Sequence, residues 1–137
     1  MTNSRRKGKE GELELARILR DNGFMCVRGQ QKVGRGKNAA IGDDDVIGLP
    51  DVHIECKRVE RLDLDAAMEQ SSRDAAADCT RPVVMHRKNA SRRKGDMRGE
   101  WKVTMFLDDW LDMYSAYLQA EKEKRRPGTS RQENAVV

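Results

Sequence analysis

The stretch "DVIGLPDVHIECK", residues 45 to 57, places Asp45, Asp51, Glu55 and Lys57 close together along the chain. Asp51 and Glu55 would share one face of a single strand, but at ~3.3 Å per residue they would stand ~13 Å apart. The oxygens of two ligands on one Mg²⁺ must lie within ~4 Å of each other, so Asp51 fails unless the chain bends sharply. Asp45 does better. A hairpin turning at Leu49-Pro50-Asp51 sets Asp45 opposite Glu55 on a neighbouring strand ~4.8 Å away, with both carboxylates on one face. Asp43 or Asp44 takes that place if the register slips, and Asp51 becomes the turn residue. Lys57 follows Glu55 by two and shares its face, while Ile54 and Cys56 point the other way. Two carboxylates can hold a divalent cation that polarises a phosphodiester and acidifies a water. The Lys57 ammonium can orient the nucleophile or stabilise charge at phosphorus. An isolated E-x-K triplet is also a common surface ion pair, so the surrounding elements must decide.

Those elements read α-β-β-β-α-β-β-α, an α/β chain with a mixed central sheet flanked by helices. Residues 9 to 22 carry Leu15, Ala16 and Leu19 at helical spacing, with Gly23 as the stop. Residues 24 to 29 alternate as a strand, and 30 to 44 form a Gly- and Lys-rich loop. The hairpin of 45 to 57 follows. Asp63 or Asp65 caps a helix to about Asp78, with Leu64, Ala67, Met68, Ser71 and Ala75 inward. Residues 81 to 87 and 100 to 107 are strands around a basic loop. A last helix from Asp108 or Asp109 carries Leu111, Tyr114 and Leu118. Residues 1 to 121 are expected to form a single domain, and 122 to 137 a charged, disordered tail.

The chain has 137 residues, 36% of them charged, with a formal net charge of +4. A basic balance favours an acidic partner, and nucleic acid is the commonest. Cys26, Cys56 and Cys79 lack paired spacing, which fits reduced thiols in a cytoplasmic protein. No apolar run is long enough for a membrane span and no signal peptide is visible.

The opening "RKGKEGELELARILRDNGFMCVRG", followed by an Asp strand, an E-x-K strand and a helix, resembles the restriction-endonuclease-like (PD-(D/E)xK) superfamily. Within it the likeness is to Holliday junction resolvases of archaeal and phage type, over roughly residues 6 to 106. The resemblance implies a Mg²⁺-dependent endonuclease, with Mn²⁺ as a substitute, encoded by a phage or a prokaryote and working on branched DNA. It implies that Glu12 of the Lys7-Gly8…Glu12 motif joins Asp45 and Glu55 as a metal ligand, with Lys57 as the catalytic lysine. Glu12 also has Leu15 and Ala16 at i+3 and i+4, which puts it on the sheet-facing edge of its helix. By the same resemblance Arg28 contacts a backbone phosphate and Gln70 stands near the active site. The chain departs from the pattern in its long loop before Asp45, its short turn before Glu55 and its enlarged basic segment, and these departures bear on DNA-structure preference.

Lys32, Arg35, Lys37, Arg87, Lys88, Arg92, Arg93 and Lys94 are expected to bracket the acidic pocket and hold phosphates without reading sequence. His86 is expected to be a strand or loop residue rather than a metal ligand. The resemblance also implies a two-fold homodimer, for which the last helix, with Trp110, Leu111, Tyr114 and Leu118, is a candidate interface. Two alternatives stand beside this reading. One is a general phage or defence nuclease on duplex or flap DNA, and the other a basic DNA-binding protein without catalysis.

Overall fold

The computed structural model describes residues 2–29, 45–89 and 97–126, with side chains from Arg5 onward. Lys32, Arg35, Lys37, Asp43, Asp44, Arg92, Arg93, Lys94 and the expected tail beyond residue 126 lie outside the described residues.

Helix α1 spans Thr2–Asp21 and so begins well before Lys9. Its added turns include Arg5, Arg6 and Lys7, which are good helix formers, and an Arg6–Glu10 pair at 3.4 Å supports them. Strand β1 is only Val27–Arg28, shorter than the expected 24 to 29. The Phe24 N–H donates to Leu19 O and the Cys26 N–H to Phe24 O, so this backbone serves the turn after α1.

Strand β2 (Val46–Ile47) and strand β3 (Val52–Arg58) form the hairpin. Helix α2 covers Leu64–Asp78, capped by the Asp63 carboxylate, which accepts from the Ala66 N–H. Strand β4 is Arg81–Arg87, as expected, and β5 is Lys102–Met105, shorter than the expected 100 to 107. The sheet order is β1-β2-β3-β4-β5. Only β3 and β4 pair in parallel, with α2 as their crossover, so the sheet is mixed.

Central strand β3 is buried on both faces. Ile54 and Cys56 join Leu15 and Ala16 of α1, Cys26, Val46, Val83 and Met85 in one cluster. On the other face, Ala67 and Met68 of α2 pack with Val84. Ser71 Oγ donates to His53 O at 3.2 Å, tying α2 to β3.

The chain divides into two compact units, with the boundary between Met105 and Phe106. The second unit contains helix α3, Leu107–Lys124, which runs into the segment expected to be a tail. Asp108 and Asp109 in its first turn and Lys122 and Lys124 in its last complement the helix dipole. Along α3, Trp110 and Tyr114 stack with ring centroids 4.8 Å apart. Among the described residues, no helix is long and apolar enough to cross a membrane.

Candidate active site

The hairpin sets the register of the site. Gly48 has φ 126°, and a Cβ there would meet Cys26 Cα at 2.7 Å, so the position admits no side chain. Asp51 adopts φ 66° in the turn, where Asp is tolerated. Val46 then pairs with Ile54, which leaves Asp45 opposite Glu55. Asp45 is pinned by its own backbone: its N–H donates to Ile54 O at 3.0 Å and its carbonyl accepts from the Gly29 N–H at 2.8 Å. Its side chain also takes part, since Oδ2 accepts from the Cys56 N–H at 2.8 Å.

Glu12, Asp45, Glu55, Lys57 and Gln70 line one cavity of about 570 Å³, together with Lys7 and Arg58. Glu55 is 2% exposed, and its Oε2 lies 3.3 Å from Lys57 Nζ. Burial, reinforced by the charge of Asp45 and opposed by Lys57, pushes Glu55 up to about 7. Burial also raises Asp45 to about 6, with the Cys56 N–H pulling down and Glu12 pushing up. Glu12 is raised as well, chiefly by burial and against the pull of Arg28. Three carboxylates thus share a partly dry space in which each resists ionisation, a situation that a bound cation would relieve.

The carboxylates surround the cavity without converging on a point. Arg28 Nε holds Glu12 Oε1 at 2.7 Å, and the Cys56 N–H holds Asp45. Among the described residues, the only three metal-capable side chains whose ligand atoms all lie within 4.8 Å of one another are His53, Glu55 and Asp74. His53 and Glu55 alternate along β3 and Asp74 faces them from α2, so strand–helix packing accounts for that proximity.

Two arginines expected at DNA are committed inside the protein. Arg28 carries the Glu12 ion pair. Arg87 is 5% exposed; its Nε and Nη2 donate to the two oxygens of Glu14 at 2.8 and 3.3 Å, and its guanidinium lies 5.8 Å from the Trp101 ring centroid. Burial removes Arg87 from the phosphate contacts expected of it. Lys88 is exposed, with Nζ donating to Glu60 O at 3.1 Å. His86 Nε2 lies 2.9 Å from Thr104 Oγ1, and burial lowers its pKa, in keeping with a strand position.

Arg58 and Asn89 also reach the cavity, and neither was singled out from the sequence. The available signal was Gly11. A glycine inside a helix costs about 1 kcal/mol relative to alanine, so it often marks a close approach. Here a Cβ on Gly11 would stand 3.0 Å from Arg58 Cβ.

No protein-family model, no curated protein and no solved structure matches the chain.

Proposed function

We propose that the chain is a Mg²⁺-dependent DNA endonuclease of the restriction-endonuclease-like type, selective for branched DNA and active as a homodimer. The observation that carries this reading is the hairpin register, which sets Asp45 opposite Glu55 in a cavity shared with Glu12 and Lys57. The donor set is made of carboxylate oxygens, the ligands that hard cations prefer, and their burial without mutual neutralisation favours a cation among them.

Asp45 and Glu55 would hold the ion, and Glu12 would join them on release from Arg28. Mg²⁺, when bound, supplies Lewis-acid polarisation of the phosphoryl group and eases deprotonation of the attacking water. Lys57 lines the same cavity, where its side chain would offset negative charge developing at phosphorus. Asp45 is held by three hydrogen bonds, two backbone and one side chain, so its carboxylate is oriented before any substrate arrives. The preference for branched DNA and the two-fold assembly rest on the sequence resemblance.

The test is cleavage of an immobile four-way junction in Mg²⁺, beside a linear duplex, a flap and single strands of matched sequence. Symmetric paired nicks confined to the junction are expected. Equal cutting of all substrates would leave a nuclease without junction selectivity. Binding without cutting, unchanged by Mg²⁺ or Mn²⁺, would favour the basic DNA-binding protein.

A further inference from the structure

Arg28, Arg58 and Arg87 are all partly or fully buried near α1, but their partners differ. Arg28 is neutralised by Glu12 and Arg87 by Glu14, each through a charged hydrogen bond shorter than 3 Å. Arg58 is held by a neutral group: its Nε donates to Asn89 Oδ1 at 3.0 Å. Among the described residues it forms no ion pair within 4.0 Å. Its position is nonetheless fixed from two sides. The side chain lies along α1 at Gly11, where a Cβ would come within 3.6 Å of Arg58 Cδ. Asn89 is itself fastened by its backbone N–H, which donates to Glu60 Oε2 at 2.8 Å.

The result is a positioned guanidinium that no described carboxylate contacts directly, Glu14 acting on it only through charge at longer range, at the wall of the cavity that holds Asp45 and Glu55. Lys7 lines the same cavity. A guanidinium in this state suits a phosphate, since its planar fork can donate two parallel hydrogen bonds to an oxyanion. The asparagine anchor uses Nε, which leaves both terminal nitrogens of Arg58 for such a contact.

We propose that Arg58, anchored by Asn89 and helped by Lys7, binds a second phosphate of the DNA strand, adjacent to the one that is cut. This subsite rests on the nuclease reading above, and it adds a fixed point that sets the path of the strand through the cavity.

The test measures DNA binding by fluorescence anisotropy in Ca²⁺ over a range of salt. The DNA carries a single neutral methylphosphonate, moved one position at a time. Wild-type protein should lose about 10-fold in affinity when one particular phosphate is neutralised, the size of one charge-assisted contact. Arg58→Gln should show the same loss on unmodified DNA, a salt dependence smaller by about one phosphate, and no further loss at that methylphosphonate. Arg58→Lys, which keeps the charge but not the fork, should recover part of the affinity. Asn89→Ala should weaken the same interference signal while keeping the Arg58 charge, and it covers the case in which Arg58→Gln does not fold. Mn²⁺ binding should persist in Arg58→Gln and be lost in Glu55→Gln.

If Arg58→Gln retains wild-type sensitivity at every methylphosphonate, the subsite is wrong, whatever happens to total affinity. If that signature is missing from a wild-type protein that cleaves DNA, the subsite falls and the nuclease stands. If the signature is present but nothing is cleaved in Mg²⁺, the nuclease reading falls and the phosphate contact stands.

Discussion

Asp45 Oδ2 accepts the backbone N–H of Cys56 at 2.8 Å, so the carboxylate itself serves as an acceptor at the end of the β2–β3 ladder. This bond fixes the carboxylate beside Glu55 and makes its charge both better tolerated and better aimed. Asp45→Asn keeps an oxygen for the Cys56 N–H while removing the charge. The variant should fold, and its metal-free melting temperature should equal or exceed that of the wild type, because a buried repulsion has gone. Stabilisation by Mg²⁺ in a thermal melt should vanish, and cleavage should fall at least about 10²-fold. Undiminished Mg²⁺ stabilisation in this variant would remove Asp45 from the ligand set.

The raised carboxylates also predict how stability depends on pH. Asp45 near 6 and Glu55 near 7 lie above their ordinary 3.8 and 4.5, so the folded chain binds these protons more tightly than the unfolded chain does. Their contribution is fully present below the unfolded values and is lost as pH rises through 6 to 7, each tenfold difference in proton affinity being worth about 1.4 kcal/mol. Urea unfolding in EDTA should therefore show a less stable protein at pH 8 than at pH 5. Glu55→Gln should flatten much of that slope, and Mg²⁺ should restore wild-type stability more at pH 8 than at pH 5. Equal slopes in wild type and Glu55→Gln would show that the pair is not the source.

The hairpin was legible in the sequence because its determinants are local. Pro50-Asp51 marks the turn, the apolar alternation sets the faces, and one register then places Asp45 against Glu55. Helix α2 was legible for the same reason, with Asp63 at its cap and Ala67, Met68, Ser71 and Ala75 inward. What stayed hidden depends on distant partners. Nothing near Arg87 in the chain announces Glu14, and nothing near Arg28 announces Glu12. Basic residues therefore read as a uniform phosphate-binding set until the fold shows which are neutralised internally. The ends of β1 and β5 were overextended because flanking apolar residues resemble strand, while their backbone groups serve a turn on one side and α3 on the other.

The Glu12–Arg28 pair makes Arg28 a competitor for the metal. The 2.7 Å bond occupies one Glu12 oxygen, and a cation must replace the guanidinium to recruit it. Arg28→Ala should leave Glu12 with less reason to stay ionised in the metal-free protein, and should lower stability by about 1–2 kcal/mol. Mn²⁺, followed by titration calorimetry, should bind several-fold more tightly than to wild type. An unchanged or weaker Mn²⁺ affinity would mean that Arg28 orients Glu12 and does not sequester it.

Arg87 should matter to folding and not to DNA. Its guanidinium spans both oxygens of Glu14, whose Oε1 also accepts from Trp101 Nε1 at 3.1 Å, so one carboxylate ties α1 to the end of β4 and to the segment entering β5. Burial pushes Glu14 up, but the hydrogen bond and charge of Arg87, with the charge of Arg58 and the Trp101 hydrogen bond, outweigh it and hold Glu14 below the ordinary carboxylate range. This contribution is present above the unfolded pKa and lost as pH falls through the lowered one, opposite in sign to that of Glu55. Arg87→Ala removes a buried cation and strands a partly exposed carboxylate beside Trp101. The expected loss is about 2–3 kcal/mol at pH 7, at the low end for a broken buried pair because Glu14 keeps some access to water. DNA affinity per folded molecule, measured at fixed salt below the melting transition, should stay within about 2-fold of wild type, and its salt dependence should not change. A salt slope reduced by one phosphate in Arg87→Ala, without loss of stability, would return Arg87 to the DNA-binding surface and take the Glu14 network out of the fold's support.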